Sequence, residues 1–337
     1  MLLNHKYVIT QHSSEATEKH PLIDFNGSLL ISASWEIRSQ AILDRIDFTK
    51  VRRVILIRYE NRGKTQVSGN IRNRVKDLCK KHRIRFTEVE FGSIGETFSH
   101  YYNTAYSLAS AISSSKEPWI IDISSMPRRL WCSLLFLFDR IDSIRTLHFY
   151  YSHPKYIFSE DEYRNTYYEH TLGEWSLSDV PFAPLAFGNG LYKTNIISTG
   201  FEYDQLKAII YRHDPDHNSI ISASPGFTDS YTRFADRTTE RIKAVFEIPD
   251  SDIHRAPVRD VEMVITIARE IVEANNEHDI SLICAGNKLH SLALCLTAIT
   301  YKNANFYVRI PAAYKESPTP PSGQFDVVTI ENLLVTL

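Results

Sequence analysis

At 337 residues the chain is long for one domain and short for four, so two domains are expected. Hydrophobic residues make up 43% and charged residues 23%, a globular composition that excludes wholesale disorder, collagen, coiled coil and mucin. The 38 Lys and Arg against 40 Asp and Glu leave a formal charge of −2, so no global field favours nucleic acid or an anionic membrane, and any anion site must be local.

Residues 1–27 form a polar N-terminal segment, with no apolar core of a signal peptide before Gln11 to His20. From 28 to 152 short aliphatic runs alternate with helical patterns, the mark of a mainly parallel sheet covered on both faces. Strands are expected at Leu29 to Ser32, Val54 to Tyr59, Phe86 to Glu90, Trp119 to Ile123 and Thr146 to Tyr151. Val67, Ile71, Val75, Leu78 and Cys79 define one apolar helical stripe; Leu130, Trp131, Leu134, Leu135, Phe138 and Ile141 define another, after Pro127. The run Leu130 to Phe138 is far too short to span a bilayer.

Residues 153–192 break the rhythm with Pro154, Pro181, Pro184, Gly188 and Gly190, and read as a connector or hairpin insertion. Its tyrosines, Tyr156, Tyr163, Tyr167 and Tyr168, suit stacking on a base or packing on a sheet equally well. Alternation resumes over 193–337, with strands expected at Asn195 to Thr199, Ser219 to Ala223, Ile280 to Cys284, Phe306 to Ile310 and Asp326 to Ile330. Helices are expected to start near Tyr203, Asp229, Val258 and Lys288. The fold class is therefore α/β: two tandem Rossmann-like halves with mainly parallel sheets, arranged as a pseudo-dimer. Cys79, Cys132, Cys284 and Cys295 lie among apolar residues without a CxxC pair, which fits reduced core thiols and a cytoplasmic location.

The halves look like one unit used twice. Ile31-Ser32-Ala33-Ser34-Trp35-Glu36 matches Ile197-Ser198-Thr199-Gly200-Phe201-Glu202 in residue class, and Ile121-Asp122-Ile123-Ser124-Ser125 stands where Leu282-Ile283-Cys284-Ala285-Gly286 stands. Chance similarity between α/β segments is the alternative.

Open α/β sheets bind ligands outside the carboxyl ends of their strands, where strand order reverses. The polar residues expected there are Ser34, Glu36, Arg38, Asp122, Ser124, Ser125 and Arg128 in the first half, and Glu202, Ser224, Gly286, Asn287 and Lys288 in the second. Ala285-Gly286-Asn287-Lys288 is the sharpest signal. Its backbone amides and lysine suit a phosphate, although an ordinary strand-to-helix turn would look the same. Ser124-Ser125-Met126-Pro127-Arg128-Arg129 carries the same two readings. Glu36 and Glu202 are placed to read ligand hydroxyls or amines, or merely to complement a helix start. Asp122, between aliphatics, needs a partner or a role, and with Glu36 it is the candidate acid or base if the protein is an enzyme. No Walker loop, GxGxxG or GxSxG is present. His213-Asp214-Pro215-Asp216-His217 reads as a helix-to-strand turn rather than a metal site, and the basic run from Arg72 to Arg85 as a solvated helix face. No metal or cofactor is expected.

Ser281-Leu282-Ile283-Cys284-Ala285-Gly286-Asn287-Lys288, followed by an apolar helix, a strand and Pro311 with Tyr314, resembles the ligand-loop region of CRISPR-associated Rossmann-fold (CARF) domains. Cys284 and Ala285 depart from that family's hydroxyl- and glycine-rich preference. The first half, at Trp35-Glu36-Ile37-Arg38-Ser39 and Asp122-Ile123-Ser124-Ser125, also resembles uncharacterised bacterial defence-island proteins. The resemblance implies a nucleotide-like small molecule as ligand, regulation of a protein partner, and a place in prokaryotic antiviral defence. Nucleic acid is not expected as a direct ligand, and a homo-oligomer is compatible. The rival expectations are an enzyme acting on a nucleotide or sugar phosphate and a structural subunit of a complex.

Overall fold

A computed structural model of the chain describes residues 1–3, 6–14, 23–59, 66–92, 97–114, 117–141, 146–156, 171–185, 192–301, 303–314 and 319–332. The chain divides into two units, Met1–Tyr156 with Glu316–Leu337, and Ile157–Lys315.

In the first unit the strands are β1 (Leu2–Leu3), β2 (Tyr7–Ser14), β3 (Gly27–Ala33), β4 (Val51–Tyr59), β5 (Arg85–Phe91), β6 (Trp119–Asp122) and β7 (Thr146–Pro154), and the helices are α1 (Gln66–His82), α2 (Phe98–Ser113) and α3 (Arg128–Ile141). The second unit contributes β8 (Thr171–Asp179), β9 (Lys193–Thr199), α4 (Tyr203–His213), β10 (His217–Ala223), α5 (Asp229–Phe246), β11 (Ile253–Ala256), α6 (Val261–Ala274), β12 (Asp279–Cys284), α7 (Lys288–Thr300) and β13 (Ala304–Tyr314); the last strand is β14 (Pro321–Asn332).

The first sheet runs β5-β4-β3-β6-β7-β14-β2-β1 and the second β11-β10-β9-β12-β13-β8. Counting strands within each unit from β3 and from β9, both have the parallel order 3-2-1-4-5, with an antiparallel strand added beside the fifth: β14 on β7 and β8 on β13. This is a Rossmann-like order, and its reversal lies between β3 and β6 and between β9 and β12. The registers agree as well, Leu30 facing Ile121 where Ile196 faces Leu282.

The cores follow from the patterns. Ile71, Val75 and Cys79 of α1 are buried on β3 and β4, with Val67 and Leu78 at the edge of the cluster. Val261, Val264, Ile265, Ala268, Ile271 and Val272 form the buried face of α6. Helix α3 goes further than a stripe: every residue from Arg129 to Phe138 is buried, as is every residue of α7 from Leu289 to Ile299. The four cysteines are free and buried. Among the described residues no helix is long and apolar enough to cross a membrane.

Three boundaries differ from the sequence-based ones. The strand expected at Asp326 to Ile330 does not extend the second half, because β14 pairs along its length with β2 and β7 of the first sheet. Segment 1–27 is not only a polar lead-in, since β2 pairs antiparallel with β14 from Tyr7 opposite Asn332 to Ser14 opposite Phe325. The 153–192 connector contains β8, which covers the edge of β13. Of its tyrosines, Tyr163, Tyr167 and Tyr168 lie outside the described residues.

Candidate functional site

In the second unit the strand ladder continues one residue beyond β12, the Ala285 N–H donating to the Ser198 carbonyl at 3.1 Å. The next residue is Gly286. A Cβ there would stand 2.7 Å from the Thr199 carbonyl oxygen and 2.9 Å from its carbon, both backbone atoms, so only glycine allows the two strand ends to approach this closely. Asn287 then caps α7, its Oδ1 accepting from the Leu289 and His290 amides at 2.8 and 2.9 Å. That bond fixes the orientation of the side-chain amide and leaves Nδ2 as the end turned away from the helix amides. Nδ2 has no hydrogen-bond partner although Asn287 is only 8% exposed.

The same end of the sheet holds more unpartnered buried polar atoms: Ser198 Oγ at 0% exposure and Thr199 Oγ1 at 1%. Successive strand residues face opposite sides, so these hydroxyls flank the reversal point from both faces of the sheet. Cys284, paired with Ser198 in register, lies toward α7, its thiol donating to the Ser291 carbonyl at 3.8 Å. His290, in the first turn of α7, bonds through Nε2 to the Pro257 carbonyl at 3.0 Å, while Nδ1 is unpartnered. Burial lowers its pKa to about 4, against the opposing pull of the Pro257 carbonyl and Asp260, so the ring is neutral. An unpartnered buried polar atom costs about 1–3 kcal/mol, so each of these calls for a water or a ligand. Lys288 is the first residue of α7 and partly exposed.

The first unit's corresponding groups are engaged with one another. Ser32 Oγ and Ser125 Oγ are 2.8 Å apart. The Ser124 N–H donates to Asp122 Oδ1 at 2.8 Å, and Ser124 Oγ accepts from the Ser152 N–H at 2.8 Å. Ser34 Oγ accepts from the Glu36 N–H at 3.3 Å. Asp122, wholly buried, thus closes a turn at the strand end, the structural role weighed for it above. Arg128 opens α3 after Pro127.

Both repeated glutamates are ion-paired within their own units. Glu36 pairs with Arg38, whose Nε donates to Oε2 at 3.0 Å and whose Nη1 donates to the Ser152 carbonyl at 3.2 Å. Burial would lower the Arg38 pKa, but Glu36 and the neighbouring tyrosines outweigh it and hold the guanidinium above its usual range. Glu202 pairs with Arg309 of β13. Arg309 and Ser152 occupy equivalent positions on the fifth strands by register, since Leu282 faces Phe306 as Ile121 faces Phe149. Both units therefore place a buried Glu–Arg pair at the same corner, with the arginine supplied from different elements.

No family model matches the chain, and no curated protein matches it. Among solved structures, it is similar to a putative universal stress protein from Pseudomonas aeruginosa UCBPP-PA14 at 11% identity, TM-score 0.26, covering 85% of this chain and 93% of the other. It is similar to a functionally unknown protein from Pseudomonas aeruginosa PAO1 at 9% identity, TM-score 0.25, covering 85% and 92%. An N-terminal ketoreductase from a macrolactin assembly line gives 10% identity, TM-score 0.24, covering 89% and 73%. Similarity at this level assigns no function.

Ser224, at the end of β10, is 6% exposed and its N–H donates to the Ser222 and Ala256 carbonyls at 2.9 and 3.0 Å, away from the β9–β12 reversal. His213 bonds to Asn195 at 2.6 Å and Asp216 accepts from the Lys193 N–H at 2.8 Å, as a helix-to-strand turn requires. Among the described residues no group of three His, Cys, Asp or Glu could hold a metal ion. Of the expected site residues, the structure gathers Gly286, Asn287 and Lys288 at one turn and adds Ser198 and Thr199 to them. Ser198 and Thr199 were legible only as part of the repeated Ile197 to Glu202 match; their unpartnered state was not legible.

Proposed function

We propose that the chain binds a nucleotide-like anion at the β9–β12 strand ends of the second unit, and that it works as a sensor or regulatory subunit acting through a partner. The observation that carries the binding is that Ser198 Oγ and Asn287 Nδ2 are buried and unpartnered by the glycine turn at the start of α7, with Thr199 Oγ1 unpartnered on the other face of the same strand end. Hydroxyl and amide donors there match phosphate oxygens, and the dipole of α7 and the Lys288 ammonium add attraction for negative charge. The neutral His290 Nδ1 is an acceptor, suited to a ligand hydroxyl or amine. The regulatory role, in prokaryotic antiviral defence, rests on the resemblance of Ser281 to Lys288 to CARF ligand loops. Asp122 and Glu36, each held by protein partners, give the enzyme reading no comparable support.

A thermal-shift panel of nucleoside mono- and diphosphates, with adenosine as the uncharged control, tests the binding. At least one phosphorylated member should raise the melting temperature, adenosine should not, and Lys288→Ala should diminish the rise. A flat response across the panel, or a rise that Lys288→Ala leaves unchanged, contradicts it.

A further inference from the structure

The two units share strand order and register, so their switch points can be compared residue by residue. By strand register Ser32 corresponds to Ser198, Ala33 to Thr199 and Ser125 to Gly286; by helix start Pro127 corresponds to Asn287 and Arg128 to Lys288. Each difference points the same way. Ser125 supplies the hydroxyl that satisfies Ser32, whereas Gly286 has none to offer Ser198. Ala33 lacks the hydroxyl of Thr199, and Pro127, which precedes α3 where Asn287 precedes α7, lacks its side-chain amide. A basic residue at the helix start is common to both, since Arg128 opens α3 as Lys288 opens α7, so the charge does not separate the copies.

From this we infer that the two units are chemically unequal copies: each chain takes one phosphate-bearing anion, in the second unit, while the first unit's switch point is a closed, non-binding counterpart sealed by the Ser32–Ser125 hydrogen bond. The inference rests on the binding proposed above and adds its stoichiometry and the residues that decide it. Gly286 and Asn287 are the positions that separate a binding copy from a closed one.

Isothermal titration of the full chain with ADP tests this. Aspartate caps a helix as well as asparagine does, but it offers no N–H and brings a negative charge, so Asn287→Asp keeps the cap and removes the donor. The expected result is one ADP per chain, an affinity about tenfold or more weaker in Asn287→Asp, and no change in Ser32→Ala. Should Asn287→Asp fail to fold, Ser198→Ala, which deletes only an unpartnered hydroxyl, takes its place with weakening expected again. Two ADP per chain, or one that Ser32→Ala abolishes and Asn287→Asp spares, overturns the inequality while leaving nucleotide binding standing. No binding by the wild-type chain of ADP or of any other phosphorylated nucleotide of the panel overturns both.

Discussion

At the scale of single residues, what matters in the second unit is the mismatch between burial and bonding. Ser198, Thr199 and Asn287 each bury a polar atom with no protein partner, whereas Ser32, Ser124 and Ser125 satisfy one another and their neighbours. Gly286 is the steric condition for that arrangement, because an added methyl would meet only the Thr199 backbone, which no rotamer change can move. Gly286→Ala should therefore cost about 1–3 kcal/mol. Gly69, with nothing within 4 Å of its Cβ position and a place inside α1, should respond oppositely, Gly69→Ala adding about 0.5–1 kcal/mol. Thermal or urea unfolding of the two variants checks the pair, and equal shifts would contradict the close approach at Gly286. The glycine, the asparagine and the lysine were legible in sequence because they are contiguous after a buried strand. The fate of Glu202 was not, since its partner Arg309 lies 107 residues away and no local spacing connects them.

At the scale of elements, all ten strands expected from aliphatic runs are present, as are the helices starting near Tyr203, Asp229, Val258 and Lys288. The misses share a cause. Strand β11, Ile253-His254-Arg255-Ala256, is short and half polar, and β2 and β8 lie in polar or proline-rich surroundings, so they are strands by pairing with a neighbour rather than by an apolar pattern of their own. β14 was recognised as a strand but given to the wrong sheet, because alternation fixes which face is buried and says nothing of which edge is free. One consequence is titratable. His148 of β7 bonds to Thr329 of β14 at 2.8 Å, and burial lowers its pKa to about 4. Between the ordinary histidine value and that one, the unfolded chain takes up a proton the folded one refuses. This contribution is complete above about pH 6.5 and is lost as pH falls to about 4, reaching about 3 kcal/mol. Unfolding measured from pH 7 to pH 4 should show a smaller acid loss in His148→Gln than in the wild type; parallel curves would contradict a buried neutral imidazole there.

At the scale of the whole molecule, one α/β plan occurs twice, with the order 3-2-1-4-5 and an antiparallel strand beside the fifth in each unit. The repeat was legible at Ile31 to Glu36 and Ile197 to Glu202, where residue classes match position by position. What sequence could not reveal was that equal architecture carries unequal chemistry, since only atomic contacts tell a satisfied serine from an unsatisfied one. Hydrogen exchange read by mass spectrometry, with and without saturating ADP, tests this most directly. Slowed exchange confined to residues 198–202 and 285–292, with 32–36 and 122–128 unchanged, is the predicted result; protection at the first unit's turns, or at neither, would contradict it.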